Sequence, residues 1–340
     1  MIHLRIVAPE EIAHHALDLL CESPSVLNVV HFHAAARKPA GDVILCDVAK
    51  EDASVILADL KELEIPRVGS IAIEHVDTQI SDAADEAERA APGMPSDAVV
   101  WEEVQQRTSE DTELSISYVT FMVLAMQIAA VGILFDQPIL IVGAMVVGPE
   151  FGPLAGLSVA LVHRQPELAR RSIAALALGF PVGIGVTLLT VALFRWTGLK
   201  DDYQVSDDVL TGFISHPDFF SFFVAYVAGT AGVLSLTSAK SGALIGVLIS
   251  VTTIPAAANI AVGIAYGEWG EAGGAAAQLV VNLTSITMAG VVTLFVQRRY
   301  YVTRRRKHLS DPARSAAGLP LGHSTHPRRG PPRRDEFQEG

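Results

Sequence analysis

Over the first 77 residues the apolar positions recur with a period of two, then of three to four, and back again. Ile2, Leu4 and Ile6 alternate with His3 and Arg5, the pattern of a half-buried strand. Pro9 opens a helix expected over 10–21, with Ile12, Ala16, Leu19 and Leu20 on one side. Residues 26–33 are β-rich, and Gly41-Asp42 turns the chain into a strand over 43–48. The helical period returns over 51–63 through Val55, Ile56, Ala58 and Leu60; Pro66 ends it, and 68–76 is a last strand. The order βαββαβ predicts a ferredoxin-like α+β domain over 1–77.

After a segment over 78–112, rich in Ala, Asp and Glu and expected to be a linker with one short helix through Trp101, Val104 and Arg107, the pattern changes. Six apolar runs follow, over 114–134, 139–162, 172–194, 219–236, 243–266 and 275–296. About 20 apolar residues at 1.5 Å each match the roughly 30 Å core of a bilayer. Residues 113–297 are therefore predicted to form an all-α membrane body of six spans, and 298–340 a basic, disordered tail.

Charge separates the same regions. Residues 1–113 hold 23 acids and 8 bases, 114–297 hold 10 and 6, and 298–340 hold 4 acids and 11 bases. Arg164, Arg170 and Arg171, then Lys240, then the cluster after residue 297 all fall on one side of a six-span plan. Basic loops favour the cytoplasm, so both termini are expected there, in a multi-pass inner (plasma) membrane protein. No secretory signal is expected, and Cys21 and Cys46 read as reduced thiols. Arg298, Arg299, Arg304, Arg305 and Arg306 are candidates for lipid head-group contact, although a topology signal already accounts for them. No folded basic domain accompanies them, so nucleic acid is not an expected partner.

Gly148-Pro149-Glu150-Phe151-Gly152-Pro153 interrupts the second run, and Pro255 the fifth. Val142-Gly143-Ala144-Met145 precedes the first break and Ile245-Gly246-Val247-Leu248 the second. Two three-helix units with broken middle helices would form a 3+3 inverted repeat, the plan of many secondary transporters. The blander reading is that Pro and Gly are common in membrane helices.

A broken helix frees carbonyls on one side and N–H groups on the other, which suits a small polar or ionic solute. Gly148, Pro149, Gly152, Pro153, Thr252, Thr253 and Pro255 are the residues of that candidate pathway, with Asn259 one turn past Pro255 and Asn282 in the sixth run. Glu150 is the one carboxylate well inside a run, and left in hydrocarbon it would cost about 2.5 kcal/mol or more. It is expected to face a cavity, bond to the facing half-helix N-terminus or take a proton; the alternative is a structural acid that caps local backbone. Polar side chains such as Asn282 and Gln127 most often tie helices together. Gly148, Gly152 and Gly156, spaced by four, suit close helix packing within or between subunits, and a homo-oligomer is expected.

His3, His31, His33 and His75 lie on strands, and His31 and His33 share a strand face. No recognised ligand spacing completes a metal site, so solvated histidines and no metal or other cofactor are expected. No phosphate loop, dinucleotide motif or nucleophile elbow is present in context, and no enzyme is expected.

Ser117-Tyr118, Gly143-Ala144-Met145, Gly148-Pro149, Gly152-Pro153 and the Pro255 segment, in that order, resemble the domain-of-unknown-function 389 family of prokaryotic membrane proteins. The resemblance implies a multi-span membrane body and no established substrate. The chain departs from that pattern at Glu150, where many members are apolar, and at Ile254-Pro255, where two prolines are common. The expected function is transport or channelling of a small solute or ion under a regulatory head. The rival is a non-transporting signalling or scaffold protein whose head binds a ligand or partner.

Overall fold

The computed structural model describes residues 1–76, 78–91, 98–200, 218–238 and 252–323. The chain forms two compact bodies, Met1–Val100 with the described part of Arg299–Gly340, and Trp101–Arg298.

The first body runs β1 (Ile2–Ala8), α1 (Glu10–Glu22), β2 (Val26–Arg37), β3 (Ala40–Val48), α2 (Lys50–Glu62), α3 (Ile65–Val68) and β4 (Ser70–His75). The sheet order is β2-β3-β1-β4 with every neighbouring pair antiparallel, the split βαβ arrangement expected from the periodicity. Ile2, Leu4 and Ile6 all point to one face, where Ala16, Leu19 and Leu20 of α1 and Ile56, Leu57 and Leu60 of α2 cover them. Each such aliphatic side chain contributes roughly 1.5–3 kcal/mol on burial.

Cys46 lies in this core, and burial pushes its thiol up to about 12. The raised value keeps the thiol protonated, hence unreactive, at any pH below it. Cys21 is exposed. A maleimide offered to the folded protein at pH 8 should therefore label Cys21 alone, and Cys46 should react only after denaturant, as mass spectrometry of tryptic peptides would show.

β2 and β3 are not evenly paired. The register slips between Phe32 and Ala36, and Ala34 takes a positive φ of 49°. Asp42 faces this bulge from β3, and its Oδ1 accepts the Ala34 N–H at 2.8 Å. That N–H, helped by His31 and His33, outweighs burial and holds the Asp42 carboxyl down at about 2.

Two expectations are corrected in this body. The supposed linker contains a helix, α4 (Asp82–Ala90), besides α5 (Trp101–Asp111), which was expected. Ala84 and Ala87, three apart, are buried, and Asp82 and Asp85 suit the positive end of the helix. The tail is folded as far as residue 323. It continues the last membrane-body helix to His308 and adds α13 (Pro312–Ala316). Arg304 pairs with Asp52 at 2.9 Å, and Arg305 with Asp59 at 2.5 Å and Glu62 at 2.7 Å. These two arginines, expected at lipid head groups, are held by acids of α2; Arg299 and Arg306 are exposed.

The second body contains α5, α6 (Ile116–Leu134), α7 (Pro138–Val147), α8 (Phe151–His163), α9 (Pro166–Trp196), α10 (Phe219–Thr237), α11 (Thr253–Tyr266) and the first part of α12 (Trp269–His308). Among the described residues, α6, α9, α10 and α12 are long and apolar enough to cross a membrane, and α7 with α8 would make a fifth span bent by 51°. Six spans were expected, and the described residues hold four or five candidates. The first half of the run over 243–266 lies outside the described residues, and α11 alone, at 14 residues, is short of a crossing. Large apolar side chains such as Leu189, Phe220 and Val280 point outward, which suits a lipid-facing surface rather than water.

Side-chain bonds fix the ends of these helices. Arg195 donates to the Ala265 carbonyl at 2.6 Å and lies over the Tyr266 ring, and the Tyr266 hydroxyl donates to the Lys200 carbonyl at 2.6 Å. Lys200 lies over the Phe135 ring. The C-terminal ends of α6, α9 and α11 therefore meet. At the other end Arg298 donates to the Val162 carbonyl at 2.7 Å and Gln297 to Thr237 at 2.9 Å, which joins the ends of α8 and α10 to α12. The helix directions alternate accordingly. Gly152 and Gly156 are used inside the chain, since a side chain there would meet Asp111 and Thr112 of the segment joining α5 to α6.

Candidate functional site at the broken helix

The break follows from local chemistry. Gly148 precedes a proline and takes an extended conformation (φ −63°, ψ 130°), which stops α7. Pro149 has no N–H to continue it. Glu150 then stands at the start of α8, and Pro153 is the third residue of that helix. Proline there is harmless, because the first turn has no intrahelical partner for its N–H groups. Pro255 is likewise the third residue of α11. The prolines thus stand in the first turns of the half-helices that were expected past each break.

Glu150 is 5% exposed. Its Oε1 accepts the Thr253 hydroxyl at 2.5 Å, at the first turn of α11. Thr252, before that turn, accepts Asn282 Nδ2 at 3.0 Å, and Asn282 Oδ1 accepts Gln278 Nε2 at 3.2 Å. A polar row therefore links the start of α8, the start of α11 and the middle of α12. Glu150 Oε2 has no hydrogen-bond partner among the described residues, and it lies so close to Gly148 that a Cβ there would collide with it.

The row places the carboxylate beside the first turn of α11, whose unpaired N–H groups carry about half a positive charge. That and the Thr253 hydroxyl offset the cost of burying the acid. The arrangement can hold a proton on the carboxyl, whose Oε2 is left unpaired among the described residues.

Most of the expected pathway converges here: Gly148, Pro149, Glu150, Thr252, Thr253 and Asn282, with Pro153 and Pro255 starting the two half-helices. Gly152 faces Asp111 instead. Asn259 is buried but donates to Glu271 at 3.4 Å, towards the start of α12. Sequence reasoning passed over Gln278, and it did not connect Tyr118 to Glu150. The Tyr118 hydroxyl is buried, has no hydrogen-bond partner among the described residues and lies within electrostatic range of Glu150. For Gln278 the signal was available, since it precedes Asn282 by one helical turn.

Residues 145–288 match the family described as "Domain of unknown function (DUF389)". The match begins three residues before Gly148 and includes both half-helix starts and Asn282, so the whole polar row lies inside the DUF389 region. It agrees with the resemblance carried by the Gly, Ala, Met and Pro motifs. The chain is also similar to an uncharacterized protein of Methanocaldococcus jannaschii, 26% identical over 195 residues, which are 57% of this chain and 58% of that relative. The chain thus spans under two thirds of that relative's length. No solved structure matches. The DUF389 region brings no assigned substrate, and the chemistry is read from the row itself.

Proposed function

We propose that this chain is a multi-pass protein of the inner membrane, with both termini cytoplasmic, that moves a small solute or ion through the broken-helix site. Glu150 is the coupling group. The observation that carries the reading is its buried carboxylate, bonded through one oxygen to the first turn of a second half-helix and without a hydrogen-bond partner among the described residues at the other. Acids inside an apolar body are rare and mark ion or proton pathways, and this one keeps an oxygen without a hydrogen-bond partner among the described residues.

The sixfold plan and the inverted repeat belong to this reading. They are supported by Pro153 and Pro255, each third in its half-helix, and by α6 and α10 running in opposite directions. The cytoplasmic side is the end that carries Arg164, Arg170, Arg171 and Arg298. The opposite end holds Asp136, Glu268 and Glu271, and its exceptions, Arg195 and Lys200, are taken up by a carbonyl and by aromatic rings.

The test is flux through proteoliposomes, with protons, alkali cations and small organic ions offered in turn. The wild type should pass at least one of them, and Glu150→Gln should reduce that flux at least tenfold while leaving the helical content unchanged. Full flux in Glu150→Gln rejects the coupling role, and no flux of any offered species rejects transport.

A second reading is a non-transporting signalling or scaffold protein. It is favoured by the folding of the post-membrane segment into the soluble body, which links any ligand of that body to α12. It expects no flux and a ligand-dependent change in proteolysis near Arg304.

A further inference from the structure

The fold supplies what the sequence spacing lacked around the strand histidines. His31 and His33 of β2 sit across from Asp42 of β3, eleven and nine positions along the chain. The slip in register at the bulge lets one carboxylate face both rings. His31 Nε2 lies 2.7 Å from Asp42 Oδ2, and His33 Nδ1 lies 3.2 Å from Oδ1. One ligand atom from each residue falls within 4.8 Å of the other two.

We propose that His31, His33 and Asp42 form a binding site for a first-row divalent transition cation of the Zn2+ type on the soluble body. The donor set selects the class. Two imidazoles and one carboxylate suit Zn2+, Co2+ or Ni2+, whereas Ca2+ takes six or more oxygens and Mg2+ an octahedron of them. Ligands about 2.0–2.1 Å from a tetrahedral ion stand about 3.3 Å from one another. The two imidazole–carboxylate distances need to change by less than an ångström to reach that value.

The support for the ligands is already built. The Asp42 side chain is 2% exposed, and its Oδ1 also accepts the Ala34 N–H, so the carboxylate is fixed by the bulge it organises. Such outer bonds orient a ligand before the ion arrives. His33 is 63% exposed, which leaves the fourth position open to solvent. Three protein ligands and one open position are the arrangement of sites that exchange or react, in contrast to closed structural sites. The surrounding segment also attracts cations, with 23 acids against 8 bases over residues 1–113. The rival is that the imidazoles merely form ion pairs with Asp42 and pin the bulge.

Co2+ separates the two, because a four-coordinate site gives it intense visible absorption that an ion pair cannot. Tag-free full-length protein in detergent is titrated with Co2+ and then with Zn2+. One equivalent of Co2+ should develop the absorption, and Zn2+ should displace it. His33→Ala and His31→Ala should each weaken binding at least about tenfold. His14→Ala and His75→Ala should leave it unchanged. His33 is exposed, so its loss tests the site without endangering the fold. Asp42→Asn is read only if its circular dichroism matches wild type, and it should then behave like the histidine variants. No Co2+ absorption up to about 1 mM, or absorption that survives His33→Ala, overturns the site.

Discussion

Asp59→Asn should destabilise the first body by about 3–5 kcal/mol and release the chain beyond residue 298 from it. Asp59 is fully buried on α2, and two arginines and an imidazole converge on it: Arg305 at 2.5 Å, His308 at 2.7 Å and Arg314. Glu62, one turn on, takes the second amino groups of Arg305 at 2.7 Å and Arg314 at 2.9 Å. The Arg314 side chain is itself fully buried and further capped by the carbonyls of Pro320 and His323. Removing one carboxylate from such a cluster strands a guanidinium away from water, which costs far more than the pair adds when intact. The exposed pair Arg67–Glu64 provides the contrast, and Glu64→Gln should change stability by about 1 kcal/mol or less. Urea unfolding of the full chain, read beside tryptic cleavage after Arg304 to Arg306, measures both parts. Wild-type stability with protected arginines in Asp59→Asn would refute the account.

Gly148→Ala should cost about 1–3 kcal/mol and lower flux with it, although it adds only a methyl group. The backbone there suits any residue, so the effect is one of space alone. The new Cβ would collide with Glu150 Oε2 and would stand 2.6 Å from Ile254 Cγ1. Either the carboxylate leaves Thr253, or α11 moves away from the break. Gly143, five residues earlier on α7, has nothing within 4 Å of the equivalent position. Gly143→Ala should be neutral, or stabilising by up to about 1 kcal/mol through helix propensity. Thermal melting in detergent gives the first comparison and proteoliposome flux the second. Equal behaviour of the two variants would show that Glu150 is not held where the geometry has it.

The α+β fold was legible because each of its elements carries its own period. Ile2, Leu4 and Ile6 declare a strand, and Leu19 and Leu20 a helix side, whatever lies around them. The broken helix was legible for a similar reason, since Gly-Pro followed by a charge is a local statement about backbone. What the break does was read less well. Half-helices past the breaks were expected, but not that Pro153 and Pro255 would each stand third in one, in a first turn where no bond is missing. Tail order was missed because composition reports only that Arg and Pro are frequent. It does not report that Asp59 and Glu62 wait on α2 for Arg305 and Arg314, about 250 residues away. The same blindness hid Asp42 from His31 and His33, since a bulge of β2 sets their alignment.

The sequence alone determined which segments are apolar and which are charged, because composition is a property of each segment by itself. It also determined the helix break, since a proline without an N–H needs no neighbour to act. Only the tertiary structure decided which polar groups meet: Glu150 with Thr253, Asp59 with Arg314, Asp42 with two imidazoles. Hydrogen bonds and ion pairs act over a few ångströms, and chain closure sets those distances between residues that local pattern cannot connect.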